Sequence, residues 1–421
     1  MPGEPAEMVA HLAVAGDVRR GPLGDVRRRG ARLRHPGAGV HAGERRSRGA
    51  APRRPTVGLA APGHRRAARR HPGGSPAELR AVADLFAAFG MAPVGYYDLR
   101  RAASPIPVVC TAFRPVDGNE LSLNPFRMFT SMLATRDRRY FDRDLRARVD
   151  NFLAHRQLFD PALLARARSI AAAGGCADDA ARPFVAAAVA SFALSGKPIE
   201  RSWYDELSRV SAVAADIAGV CSTHLNHLTP RVLDIDELYR RMTGRGIAMI
   251  DAIQGPPATG GPAVLLRQTS FRALAEPRRF RGDDGRITEG TVRVRFGEVE
   301  ARGVALTPRG RRRYDAAMAA DDPAAVWANY FPATDAQMAA EGLGYYCGGD
   351  PSAPIVYEDF LPASAAGIFR SNLDAETPGA AQAAPAVDDS GYDQDWLAGA
   401  LGREIHDPYP LYEALAQEAP R

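Results

Sequence analysis

From Ser75 onward the apolar residues fall into runs that predict most of the elements of this chain. SPAELRAVADLFAAFGM reads as a helix, with Ser75 as N-cap, Pro76 in the first position, Glu78 at the capping-box position and Gly90 ending it. Tyr96 to Phe113 reads as a strand and its approach, centred on VVCTAF. From about Asn124 to Leu194, three- and four-residue spacing in FRMFTSML and VDNFLAHRQLF predicts a long helical section that serves as scaffold. Pro198 to Trp203 opens a further helix, YDELSRVSAVAADIAGV.

Beyond Cys221 the period shortens. DELYRRM is a helix, AVLLRQTSFRAL a strand and its sequel, and PIVYEDF another strand. In TVRVRFGEVEARGVAL, alternation over Val292, Val294 and Phe296 predicts a single strand with Glu298 and Glu300 on one face. Residues 375–395, rich in Ala, Pro, Gly and Asp, read as a surface linker, and HDPYPLYEAL as a segment packing back through Tyr409, Leu411 and Tyr412. The order of strand, helix and several strands describes an α+β chain.

At 421 residues and 46% hydrophobic content there is material for a real core. Cys110, Cys176, Cys221 and Cys347 are scattered without C-x-x-C spacing, which excludes a zinc ribbon or dithiol motif and fits a reducing cytoplasm. No apolar run approaches the ~18 residues that span a bilayer, so a soluble protein without a membrane partner is expected.

The net charge of +5 is misleading. Residues 1–74 hold 16 basic and 5 acidic residues, and the rest holds 38 basic and 44 acidic, so the body is mildly acidic. A nucleic-acid partner is therefore not expected, and no helix-turn-helix or zinc finger is visible. Residues 1–74 lack Phe, Tyr, Trp, Ile, Asn and Lys and cannot build a core; a disordered leader is expected, followed by a catalytic domain over residues 75–415. Back-translation offers a cause. Shifted by one base, Gly63 to Gly74 can encode Glu-Arg-His-Gly-Ala-Ile-Arg-Val-Gly, running directly into Ser75, with the His codon straddling Ala68 and Arg69. The His-x-x-x-Arg of that string, followed by a helix and a Gly-plus-apolar stop, recurs in frame as His227, Arg231, Glu237-Leu238 and Gly246-Ile247, an internal repeat of one strand-and-helix unit.

The candidate chemistry gathers in CSTHLNHLTPRVLDID and in FGEVEAR. The histidines His224 and His227 and the carboxylates Glu298 and Glu300 together suggest a histidine and carboxylate site, donors that suit a transition metal. His224 lies three residues before His227 and does not share its strand face, which makes it an alternative, as Glu300 is to Glu298. Gln268 is either a substrate contact or a buried amide satisfying the backbone; Arg231 either pairs with Asp234 or Asp236 or meets substrate, and Arg267 is similarly open. GLGYYCGGD and GPPATGGP lack the Lys or the strand-to-helix setting of a phosphate loop.

THLNHLTPRVLDID, LLRQTSF, VRFGEVEARGVALTP and YEDFLPASAAGIFRSNL resemble the 2-oxoadipate dioxygenase/decarboxylase family. The resemblance implies paired βαβββ modules of the vicinal-oxygen-chelate kind, forming a curved sheet or partial barrel around a metal site. A helical insertion would lie at about 124–215 and the second metal-binding module at about 216–375. It implies an Fe(II) enzyme that uses O₂ to turn 2-oxoadipate into D-2-hydroxyglutarate and CO₂ in lysine catabolism, with His227 and Glu298 as metal ligands and Ser364, beside Ala363, in contact with substrate. The family's first metal histidine and its carboxylate-clamping arginine belong to the shifted string, so the chain as written is one ligand short; His71 is a weak surrogate. Other readings are a different 2-oxo acid, a metal-dependent isomerase or lyase, and a non-enzymatic basic-tailed binding protein.

Overall fold

The computed structural model describes residues 67–102, 105–222, 228–295, 297–361 and 390–418; for 67–73, 123, 228 and 293–295 only the main chain is described. The first unit runs β1 (Ala67–Gly73), α1 (Pro76–Ala87), β2 (Met91–Asp98), β3 (Val108–Pro115), α2 (Gly118–Leu123) and β4 (Phe126–Leu133). Helices α3 (Arg143–His155), α4 (Pro161–Ala172), α5 (Asp178–Ala190), α6 (Arg201–Val210) and α7 (Ala212–Ala218) follow, with the two-residue β5 (Ile199–Glu200) before α6. The second unit contains β6 (Leu228–Pro230), α8 (Ile235–Gly244), β7 (Leu266–Ser270), β8 (Leu274–Arg281), β9 (Ile287–Arg295) and β10 (Glu298–Arg302). It closes with α9 (Pro308–Met318), α10 (Pro323–Tyr330), α11 (Asp335–Ala340), α12 (Gln394–Leu401) and α13 (Pro408–Gln417).

Five strands form the main sheet in the order β2-β3-β4-β1-β6, with β1 parallel to β4 and antiparallel to β6. β10 pairs antiparallel with β7, and this pair meets β6 through the Arg231–Glu300 bridge, where the Val232 N–H donates to the Glu300 carbonyl at 2.8 Å. β5, β8 and β9 make a separate three-stranded sheet. The architecture is a mixed α+β arrangement of small sheets, and among the described residues no sheet closes into a barrel.

The sheet is buried on both faces. α1 sets Leu79, Val82 and Phe86 against Val109, Phe113, Met128 and Met132, while Ala214, Ile217 and Ala218 of α7 cover the opposite face at Cys110, Phe129 and Leu133. Thus FRMFTSML is not helix but β4, every residue of it buried. A strand covered on both faces has no polar alternation, so its apolar run imitates a buried helix. Further differences have equally local causes. The strand expected across residues 292–300 is two, β9 and β10, in different sheets. PIVYEDF forms isolated bridges, Val304–Val356 and Tyr346–Pro354, in place of a strand. The helix after Trp203 is divided at Ser211, which is extended and caps α7.

One departure concerns the leader: its residues 67–73 are β1, at the interior of the main sheet. A ladder is made of peptide groups, so a segment without a core-forming composition still fills a strand position between two waiting neighbours. No helix among the described residues is long and apolar enough to cross a membrane.

Candidate functional site

The site grows from β10. Glycines bracket the strand, and each allows an approach that a side chain would prevent: a Cβ on Gly297 would sit 2.1 Å from the Phe271 ring, and one on Gly303 would sit 2.1 Å from the Ala263 carbonyl oxygen. Between them Glu298, Glu300 and Arg302 alternate onto one buried face, each 6% exposed or less. The expectation of two carboxylates on one face is met, although on a shorter strand.

Their partners separate the two glutamates. Glu298 accepts a hydrogen bond at 2.9 Å from the hydroxyl of buried Thr229 on β6, two residues after His227 in sequence. Glu300 lies between two guanidiniums: it pairs with Arg127 of β4, and accepts from Arg302 Nε at 2.6 Å. Arg302 pairs onward with Glu358, and Arg127 also donates to the Asp359 carbonyl. Both Glu300 oxygens are engaged by arginines, whereas Glu298 meets the Thr229 hydroxyl of β6. The signal for this cluster was present in the sequence as buried-strand arginines and the ED of YEDF, but single residues do not reveal cross-strand pairing.

Register carries the site to β1. Ala68 is opposite Thr229 on one side and Arg127 on the other. Position 68, not 69, is therefore in the cross-strand row that contains Thr229, and alanine brings no donor there. His71 is opposite Thr130, three residues along, and does not occupy the position beside Thr229. His224, His227, Ala363 and Ser364 lie outside the described residues. Among the described residues, no group of three His, Cys, Asp or Glu is arranged to hold a metal.

Gln268 on β7 pairs with Glu300 across the β7–β10 ladder and is 2% exposed. Its backbone exchanges hydrogen bonds with Gln254 at 2.8 and 2.9 Å, yet its side-chain Nε2 is buried without a hydrogen-bond partner among the described residues. The side chain does not satisfy the backbone; it is a desolvated donor on the site face, a costly arrangement unless a ligand accepts from it. The pairing of Arg231 with Asp234 or Asp236 is not made. Asp234 caps α8 by accepting from the Glu237 N–H at 2.8 Å, and Asp236 is bound in two-pronged fashion by Arg267, which holds its carboxyl below the usual range. Arg231 Nε is buried without a partner among the described residues.

A cavity of about 630 Å³ lies elsewhere, lined by Phe152, His155, Arg156, Lys197, Trp203 and Cys221 among others, and includes none of the residues around Glu298.

Comparison with known proteins places this geometry. The sequence profile of a family described as 2-oxoadipate dioxygenase/decarboxylase matches residues 60–372, a span that takes in β1. A protein of that name from Mycobacterium tuberculosis is 77% identical over 348 residues, 83% of each chain, and one from Pseudomonas putida is 37% identical over 383 residues, 80% of each. Among solved structures, the hydroxyglutarate synthase of Pseudomonas putida in complex with 2-oxoadipate matches with a TM-score of 0.68 at 33% identity, covering 83% of both chains.

Proposed function

The chain belongs to the 2-oxoadipate dioxygenase/decarboxylase family, and from that premise we propose that its site converts 2-oxoadipate and O₂ into D-2-hydroxyglutarate and CO₂, a cytoplasmic step of lysine catabolism. The reaction balances: one carbon leaves as CO₂, and both atoms of O₂ are retained in the two products. We read the β1-α1-β2-β3-β4 unit and the unit built on β6, β7 and β10 as paired modules of the vicinal-oxygen-chelate kind. They meet at the β1–β6 pair.

The observation that carries the proposal is the Thr229–Glu298 hydrogen bond, which ties the strand following His227 to a buried carboxylate. His227 and Glu298 are the donors proposed for Fe(II), whose role would be to bind a 2-oxo acid and O₂ side by side. The donor set is one short, because the position beside Thr229 is Ala68. No step is therefore derived through the metal in the chain as written. What the chain's own residues contribute is recognition: the Gln268 amide, desolvated and unmatched, suits a carboxylate or oxo oxygen of the substrate. Arg231 and the segment containing Ala363 and Ser364 are proposed to complete the contact with the dicarboxylic acid.

The test is Ala68→His. The variant is expected to bind Fe(II) at least tenfold more tightly than the unsubstituted chain by anaerobic titration, and to consume O₂ and release CO₂ in equal amounts with 2-oxoadipate. A metal-loaded Ala68→His/Pro72→Arg variant, which also restores the clamping arginine of the shifted string, overturns the proposed reaction if it takes up no O₂ with 2-oxoadipate.

A further inference from the structure

Six buried side chains beneath Glu298 form a closed ring whose last member comes from the C-terminal helix. Starting at Glu300, the links run to Arg302, to Glu358, through the Glu358 N–H to the Tyr412 hydroxyl at 2.7 Å, and from that hydroxyl to Asp359 Oδ2 at 2.5 Å. The Asp359 carbonyl accepts from Arg127, which returns to Glu300. Arg114 braces the ring from β3, donating through Nε and Nη2 to the two Asp359 oxygens at 2.8 and 3.2 Å. Arg114, Arg127, Glu300, Asp359 and Tyr412 are each 2% exposed or less.

Two features make the ring more than a patch of core. It joins β10, which carries Glu298 two residues from Glu300, to Tyr357–Leu361, which runs directly into the stretch containing Ala363 and Ser364. Its link to α13 is a hydroxyl that accepts from one residue and donates to the next, so one atom touches both Glu358 and Asp359. Stacking of the Tyr412 ring on Tyr345 and Tyr357, at 5.8 and 6.2 Å between centroids, sets where that atom sits.

We propose that Tyr412 is a positioning residue: its hydroxyl holds β10 and Tyr357–Leu361 in one register, so that docking of the C-terminal helix sets the geometry around Glu298. The assignment of Glu298 and Ser364 rests on the proposed function; the coupling itself does not. A tyrosine that merely anchored α13 would affect that helix alone. Removing a hydroxyl that serves two buried partners takes one hydrogen bond from each, and the disturbance passes through Arg302 and Arg127 to β10.

Hydrogen exchange on Tyr412→Phe tests this. Exchange of β10 amides and of those at 357–361 is expected to rise about tenfold, the ratio given by one buried hydrogen bond's worth of local opening. Tyr345→Phe, which removes a hydroxyl 3.4 Å from Glu413 on the same helix, is expected to leave β10 unchanged. Faster exchange confined to α13 overturns the proposal. Should Tyr412→Phe exchange globally, Asp359→Asn in place of it is to give the β10 pattern, and an unaltered β10 there overturns the proposal as well. In parallel, 2-oxoadipate binding to the unsubstituted and Ala68→His chains tests the site assignment alone; failure to bind removes the functional reading and leaves the exchange result standing.

Discussion

β1 and β10 flank the same short strand, β6, and they are specified in opposite ways. β1 comes from a segment with neither aromatic residues nor isoleucine, yet it runs through seven register pairs with β4 and three with β6. β10 is held by what its side chains do: Glu298 to Thr229, Glu300 and Arg302 within a ring of charges, and a glycine at either end where a Cβ has no room. Place in a sheet thus follows from peptide groups and neighbours, whereas chemistry follows from particular side chains. A strand can thus keep its seat whatever side chains it carries.

The comparison breaks most readily at β10. Glu300→Gln removes the carboxylate shared by Arg127 and Arg302 and leaves two guanidiniums buried against a neutral amide; a loss of about 3–5 kcal/mol in urea unfolding is expected. Glu298→Gln, which keeps an acceptor for the Thr229 hydroxyl, is expected to cost about 1 kcal/mol while abolishing metal binding in the Ala68→His background. The reverse ranking would mean that Glu298 is the structural carboxylate. For β1 the sensitivity lies in the main chain. Arg69, opposite Met128 and Leu228, is in the interior of the sheet, so Arg69→Pro removes a ladder hydrogen bond and is expected to cost about 3 kcal/mol. Arg69→Lys is expected to stay within about 0.5 kcal/mol by the same measurement.

What could be read in the sequence divides along the same line. The capped helix at Ser75 is as expected, with its hydroxyl accepting from the Glu78 N–H at 3.3 Å, because the signal is local. The pairing of Glu298 with Glu300 on one face was legible because alternation is a property of the strand alone. β4 was not, since burial on both faces erases alternation, and the two-strand break near Gly297 was not, since that glycine packs against Phe271, just past the end of β7 and distant in sequence. The Arg127–Glu300 pair and Tyr412 were hidden for the same reason: their partners are brought together by topology over 53 to 173 residues of chain. β1 was the extreme instance, being set by its neighbours against its own composition.

Acid sharpens the picture of the charge ring. Asp359 is fully buried, which by itself would raise its pKa, but Arg114 and the Tyr412 hydroxyl outweigh this and hold it below the usual carboxylate range. A depressed carboxylate stabilises the fold above its unfolded pKa of about 4, and the contribution is lost as pH falls through the lower folded value. Acid unfolding is thus expected to set in below about pH 4. Tyr412→Phe, lacking one of the groups that lower Asp359, is expected to move the midpoint upward by about half a pH unit. A downward shift by circular dichroism would place the Tyr412 hydroxyl outside the network.

The smallest effect separates β6 from both its neighbours. Thr229 is the one described side chain seen to link β6 to Glu298, and it stands directly opposite Ala68. Thr229→Val preserves shape and removes only the donor, leaving a buried carboxylate oxygen short of one hydrogen bond at a cost of about 1–2 kcal/mol. Thr229→Ser restores the donor without the methyl group and is expected to recover most of that difference in urea unfolding. In the Ala68→His background the same pair is expected to show whether the hydroxyl also orients Glu298 toward a metal: valine should weaken Fe(II) binding about tenfold, the scale at which hydrogen bonds to ligating groups act, and serine should not. Equal metal affinity for valine and serine would confine Thr229 to the fold, and would shift the junction of β1, β6 and β10 from a site held in register by side chains to one held by main chain alone.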